Sequence, residues 1–163
     1  MNKIKIAFII LIGIIFFSAC EKDDICVDGD TPLLVIRFYD VTDSTEFKDV
    51  SSLEVRGLIS PDTLDVISNV ASDSIMIPLR GDASNTSFVL SQQLTTDDPV
   101  NIDVLTFSHE TKEVFISRAC GFVANYENLT ASLDTDTDNW IKNIEVISST
   151  VENSETAHVK IYH

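Results

Sequence analysis

Glycine is scarce in this chain, five residues among 163, and the five are too scattered to build a loop that cradles phosphate. No G-x-S-x-G stretch is present, so a hydrolase nucleophile elbow is not expected. Histidine is also rare, with three copies. His109-Glu110 opens like the zinc-protease motif H-E-x-x-H, but Glu113 stands where the second histidine is needed, and the motif is set aside. Basic residues are outnumbered, 11 Lys and Arg against 26 Asp and Glu. Binding to a phosphate backbone requires cations that displace counterions, so nucleic acid is not expected as a partner. Amphipathic helices are missing as well. The best candidate, Thr63 to Ala71, carries the β-branched Val66, Ile67 and Val70, which suit a strand or an irregular loop at least as well.

What is present begins at the N-terminus. Lys3 and Lys5 precede an uncharged apolar run from Ile6 to Phe17, and Ser18-Ala19 supplies small residues of the kind found beside a signal-peptidase cut. Twelve apolar residues fall short of the roughly 20 that a spanning helix needs, which favours a secretion signal over a transmembrane anchor. Cys20 follows at once, and this arrangement resembles the lipobox of bacterial lipoproteins. There the thiol receives a diacylglycerol, cleavage leaves the cysteine first, and its amine is usually acylated. Each buried methylene contributes about 0.8 kcal/mol, so two or more chains hold a protein at a bilayer. Glu21, Lys22, Asp23 and Asp24 come next and resemble the export signal of surface lipoproteins in Bacteroidota; charge that merely solvates a tether is the alternative. The expected organisation is a signal peptide at 1–19, a lipidated tether at 20–31 and one domain at 32–163. Removing the two lysines of the signal moves the formal charge from −15 to −17 over the remaining 144 residues.

With Cys20 assigned to lipid, Cys26 and Cys120 remain as an even pair in a compartment where disulfides persist, and they are expected to be bridged. A lone buried thiol or a reactive nucleophile at Cys120 would leave Cys26 unexplained.

Residues 32–163 alternate with period two in short runs separated by Asp, Ser, Thr, Asn and Gly. Leu34, Ile36 and Phe38 oppose Arg37 and Tyr39; Leu53, Val55 and Ile59 oppose Glu54 and Arg56; Ile75, Ile77 and Leu79 repeat the pattern. Further runs are SFVLSQQL, VNIDVLTF, EVFISRACGF, VANYENL, IKNIEVIS and AHVKIY, about nine strands in all. The expected fold is all-β, a single antiparallel β-sandwich, Ig-like or related, with a closed barrel as the alternative. A membrane barrel is disfavoured because Glu54, Arg56 and Asp103, read as outward, are charged.

One stretch carries a metal-site pattern. LDTDTDNWIKNIEV sets Asp134, Asp136 and Asp138 at alternate positions and Glu145 at the twelfth, matching a calcium loop except that Asn139 replaces Gly. Calcium would take the three Asp side chains, the Trp140 carbonyl and bidentate Glu145, with a Kd of about 10⁻⁴ to 10⁻³ M typical of extracellular modules. The flanks ENLTASL and IEVISSTV read as strands, so the competing reading is a connection in which Asp and Asn cap their own backbone. His158, Lys160 and Tyr162 share one face of the last run and are read as a solvated edge. Asp43-Ser44-Thr45, Asp62-Thr63-Leu64 and Asp73-Ser74-Ile75 resemble Bacteroidota O-glycosylation acceptors.

Together, the lipobox, Cys26 before TPLLVIRFYD, RACGF around Cys120, NWI at Asn139 and the terminal HVKIY resemble a family of small Bacteroidota lipoproteins of unknown function. The resemblance implies a secreted, lipid-anchored β-domain with paired cysteines, and it brings no catalytic or binding residues. The functional expectation is a noncatalytic module of the outer membrane, facing outward, that holds a protein or glycan partner. Trp140 with Tyr126 is the suspected binding pair. A calcium-binding module and a small envelope enzyme are the alternatives.

Overall fold

The computed structural model describes Cys26, residues 29–59 and residues 62–163. The signal segment, Cys20 and the charged stretch 21–24 lie outside the described residues. Nine strands form in chain order: β1 (Leu34–Tyr39), β2 (Val50–Ile59), β3 (Asp62–Ser72), β4 (Ser74–Ile77), β5 (Asn85–Gln92), β6 (Asn101–Ser117), β7 (Gly121–Leu133), β8 (Asn143–Val146) and β9 (Val159–Tyr162). They make two packed sheets, ordered β4-β1-β9-β8 and β3-β2-β5-β6-β7, with no helix and no closed barrel among the described residues. The fold is therefore the expected all-β sandwich.

Alternation builds the core. Leu34, Ile36 and Phe38 of β1 and Val159 and Ile161 of β9 meet Leu53 and Val55 of β2, Phe88 and Leu90 of β5, and Leu105 and Phe107 of β6. Each such side chain stabilises the domain by about 1.5–3 kcal/mol when fully removed from water.

Three expectations need correction. The sheet is not purely antiparallel: β1 and β9 run parallel, with Ile36 beside Val159 and Phe38 beside Ile161. A parallel pair cannot be closed by a tight turn, and here nearly the whole domain serves as the crossover. The strand β9 consequently lies inside its sheet, between β1 and β8, and His158 and Tyr162 are buried instead of forming a solvated edge. Residues 63–71, whose branched side chains suit a strand or an irregular loop, belong to edge strand β3. Its pairing with β2 slips at three places, and only Val66 and Ile67 reach the core, which erases the alternation from the sequence. Finally, VNIDVLTF and EVFIS are one 17-residue strand, β6. The count of nine holds because this merger offsets the strand at 62–72.

The hairpin of β6 and β7 is the longest feature. Its register shifts between Ser108 and Glu110, opposite Asn128, which has φ 55°. Asn tolerates this left-handed conformation, and the bulge re-aims both strands. Beyond it, Tyr126 exchanges backbone hydrogen bonds with Val151, and the hairpin continues past the start of β5 to a turn at residues 118–120.

Three histidines are buried. His158 Nδ1 accepts a hydrogen bond from the Val35 N–H at 3.1 Å, which requires that nitrogen to be unprotonated. Burial lowers the pKa of His158, and it does the same for His109 and His163. The unfolded chain would bind protons at about 6.5, where the folded one does not. Stability is then complete above that value and falls as pH drops through it toward the folded pKa values. Thermal melts should show Tm decreasing from about pH 7.5 to about pH 5.5, the interval that brackets the unfolded value. His158→Asn, which keeps an acceptor but cannot titrate, should flatten part of that decrease; an unaltered slope would contradict the assignment.

Candidate binding groove

The two poles of the sandwich differ in chemistry. At the pole where β5 ends and β6 begins, an open groove of about 570 Å³ lies among Lys48, Leu94, Val100, Trp140, Lys142 and His163. These residues come from separate connections and strand ends, which the topology gathers at one place.

A buried carboxylate holds the residues on either side of Trp140. Asp103, read from its charge as outward, is 1% exposed. It shares strand parity with Leu105 and Phe107, and parity decides its direction. Its Oδ2 accepts from the Ile141 N–H at 2.8 Å, and its Oδ1 accepts from Asn139 Nδ2 at 3.0 Å. Burial pushes the Asp103 pKa up, while the two donors pull against that shift. Asn139 Nδ2 also donates to the Asp134 carbonyl, and Asn139 Oδ1 accepts from the Asp136 N–H. Asp136 Oδ1 in turn accepts from the Asp138 N–H. The loop 134–139 is thus closed by its own Asx contacts and pinned to β6.

This geometry does not assemble the calcium set. Among the described residues no three His, Cys, Asp or Glu side chains converge in a way that could hold a metal ion. Glu145 lies on β8, where it accepts from the Tyr162 hydroxyl at 2.9 Å. Asn139, the departure from the calcium pattern, is the residue that organises the loop. Trp140 is 6% exposed and Tyr126 is 1% exposed, so they are not a surface pair. The Trp140 indole N–H points to the Leu90 carbonyl at 3.4 Å, and the Tyr126 hydroxyl donates to the Leu79 carbonyl at 2.8 Å. Trp140 still borders the groove, and Tyr126 packs against His109 at the other end of the core.

The groove wall is electrostatically mixed. Lys48 Nζ donates to His163 O at 2.8 Å and lies 3.1 Å from Asp40, whose pKa is held low chiefly by the Thr42 hydroxyl. His163 sits edge-on to both Phe38 and Trp140. Lys142 donates to the Asn139 carbonyl. Two ammonium groups, the carboxylates of Asp49, Asp98 and Asp138, an indole edge and the exposed Leu94 and Val100 give a surface that suits an extended amphipathic ligand. Its lining residues include no nucleophile paired with a base.

His109, of the discarded zinc motif, is buried beside Thr86 Oγ1 at 3.1 Å. Of the acceptor-like triplets, Asp43-Ser44-Thr45 lies on an exposed turn closed by Asp43, whereas Ser74 is half-buried in β4.

The opposite pole holds the disulfide. Cys26 and Cys120 are bonded, with Cα atoms 4.8 Å apart and a sequence separation of 94. The staple expected from the cysteine count is present, and it joins the start of the described chain to the hairpin turn. Gly29 is required beside it, since a Cβ there would lie 2.9 Å from both Cys120 Cβ and Sγ.

Asp103→Ala removes the acceptor for two donors and should destabilise the domain by about 2–3 kcal/mol in urea melts, with Trp140 emission shifting red in the native baseline. Calcium at about 1 mM, the upper range for extracellular loops, should leave the wild-type Tm unchanged. A rise in Tm with calcium would restore the metal reading.

The model of a family described as a family of unknown function, DUF6452, matches residues 52–163. No curated protein and no solved structure matches the chain. The matched span contains nearly all of β2 and the whole of β3 to β9, Cys120, the Asp103–Asn139 network and most of the groove, so the comparison covers the site as well as the fold. This chain belongs to the DUF6452 family of unknown function.

Proposed function

We propose that the protein is a noncatalytic, lipid-anchored β-sandwich of the bacterial outer membrane that presents a protein- or glycan-binding groove away from the bilayer. The observation that carries this reading is polar separation. The Cys26–Cys120 bridge fixes the end of the tether at the hairpin pole, and the groove around Trp140 opens at the other pole. A chain lipidated at Cys20, six residues before Cys26, would stand with that groove outward. The lipobox-like Ser18-Ala19-Cys20 and the acidic stretch after it support the address. The noncatalytic part is supported by the burial of all three histidines, His158 and His163 against backbone groups and His109 against the buried Thr86 hydroxyl.

The test is co-purification of the tagged full-length chain from mildly solubilised native envelopes, beside Cys20→Ala and a Lys48→Glu/Lys142→Glu double variant. A stoichiometric protein or glycan retained by the wild type and lost on charge reversal, with Tm preserved, is expected. The Cys20→Ala chain should leave the membrane fraction. Equal recovery of the partner by the double variant would place binding elsewhere.

A further inference from the structure

The groove leaves one exposed feature unexplained. Phe115 on β6 and Phe122 on β7 are directly opposed across the hairpin, with ring centroids 5.3 Å apart, yet they are 56% and 65% exposed. Ile116 beside them is exposed too. Past Ser108, β6 has no partner strand other than β7 among the described residues, so this apolar cluster is carried on a projecting ribbon. Exposed aromatic pairs at a projecting tip are unfavourable in water and need a covering surface.

We propose that the tip of the β6–β7 hairpin, centred on Phe115, Ile116 and Phe122, inserts into the interfacial layer of the bilayer that carries the lipid anchor. Two observations select a lipid surface as the occupant. The first is reach. Cys120 lies two residues before Phe122 and is bonded to Cys26, which is only the sixth residue after Cys20. Six chain steps span at most about 21 Å fully extended, and the bridged Cα atoms are 4.8 Å apart, so an acylated Cys20 holds Cys120 in the hairpin turn within about 26 Å of the lipid.

The second observation is charge. The body of the chain is strongly acidic, and such a surface is repelled by anionic headgroups. Residues 114–123, VFISRACGFV, contain no acid, and their single charge is Arg118 in the turn. The acid-free stretch and the apolar cluster coincide at the pole that the tether would hold near the membrane. Phe and aliphatic side chains of this kind bury several ångströms into the headgroup–acyl boundary. The contact would add a second membrane attachment to the acyl chains and fix the tilt of the sandwich, keeping the groove pole in solution.

This inference rests on the anchored reading, and the experiment separates the two. The chain has one tryptophan, Trp140, buried at the far pole, which serves as an internal reference. The lipidated full-length protein and its Phe122→Trp variant are reconstituted into phosphatidylcholine vesicles with and without dibrominated acyl chains. Both should float with the vesicles, with Trp140 emission the same in either lipid. The emission that the Phe122→Trp variant adds should be blue-shifted and lose most of its intensity in the brominated vesicles. Flotation with the added indole unquenched overturns the tip contact while leaving the anchor in place, and assigns the aromatic pair to a protein partner. A blue shift that depends on protein concentration without quenching overturns it in favour of a second copy of the chain. Failure of both proteins to float removes the anchor and the tip contact together.

Discussion

The disulfide between Cys26 and Cys120 is the constraint on which the rest of the molecule depends. A two-stranded ribbon such as the outer part of β6 and β7 is marginal in water by itself. Here the bridge closes a loop across most of the domain, which in the chain-entropy account stabilises the folded state by about 4–5 kcal/mol. The Ala124 N–H adds a hydrogen bond to Thr31 Oγ1 at 3.3 Å, so the chain at Thr31 is laid against β7. Gly121, at φ 73°, supplies the left-handed residue that the turn next to Cys120 needs. The bridge also places the start of the described chain at the hairpin turn, the pole opposite the groove around Trp140.

Most of the architecture is legible in the sequence because one face of each central strand is buried. Leu34-Ile36-Phe38 and Ile75-Ile77 alternate cleanly, and the structure pairs their strands in register, Leu34 beside Ile77 and Ile36 beside Ile75. Legibility fails where burial is not one-sided. The strand β3 runs along an edge with three register slips and shows no usable period. The parallel insertion of β9 between β1 and β8 leaves no local trace, since HVKIY reads alike at an edge and in a centre. Asp103 shows the two signals in conflict. Its parity matches Leu105 and Phe107, but its charge argues for solvent, and the sequence alone does not reveal that Asn139 and the Ile141 N–H wait for it inside.

The site was less legible than the fold, for a related reason. Lys48, Val100, Lys142 and His163 are ordinary residues near the ends of different strands, and only the topology makes them neighbours. The Asp134–Glu145 pattern was legible but pointed to calcium, because spacing alone does not distinguish carboxylates aimed at a cation from side chains closing their own turns. Asn139 marks the difference: it takes the place of the glycine a calcium loop needs and binds Asp103, Asp134 and Asp136 itself. The aromatic residues divide in the same way. Tyr126 and Trp140 are spent on the core, while Phe115 and Phe122 stay outside it at the hairpin tip.

The central claim, that the tether is stapled to the hairpin turn, is tested most directly by mapping cysteines in the protein recovered from intact envelopes. The chain is alkylated at once, digested without reductant, and read by mass spectrometry. The account predicts a single cross-linked species joining the peptide that carries Cys26 to the peptide that carries Cys120, with neither alkylated. Stoichiometric alkylation of Cys26 and Cys120 would contradict it, and with it the assignment of one pole to the membrane and the other to the groove.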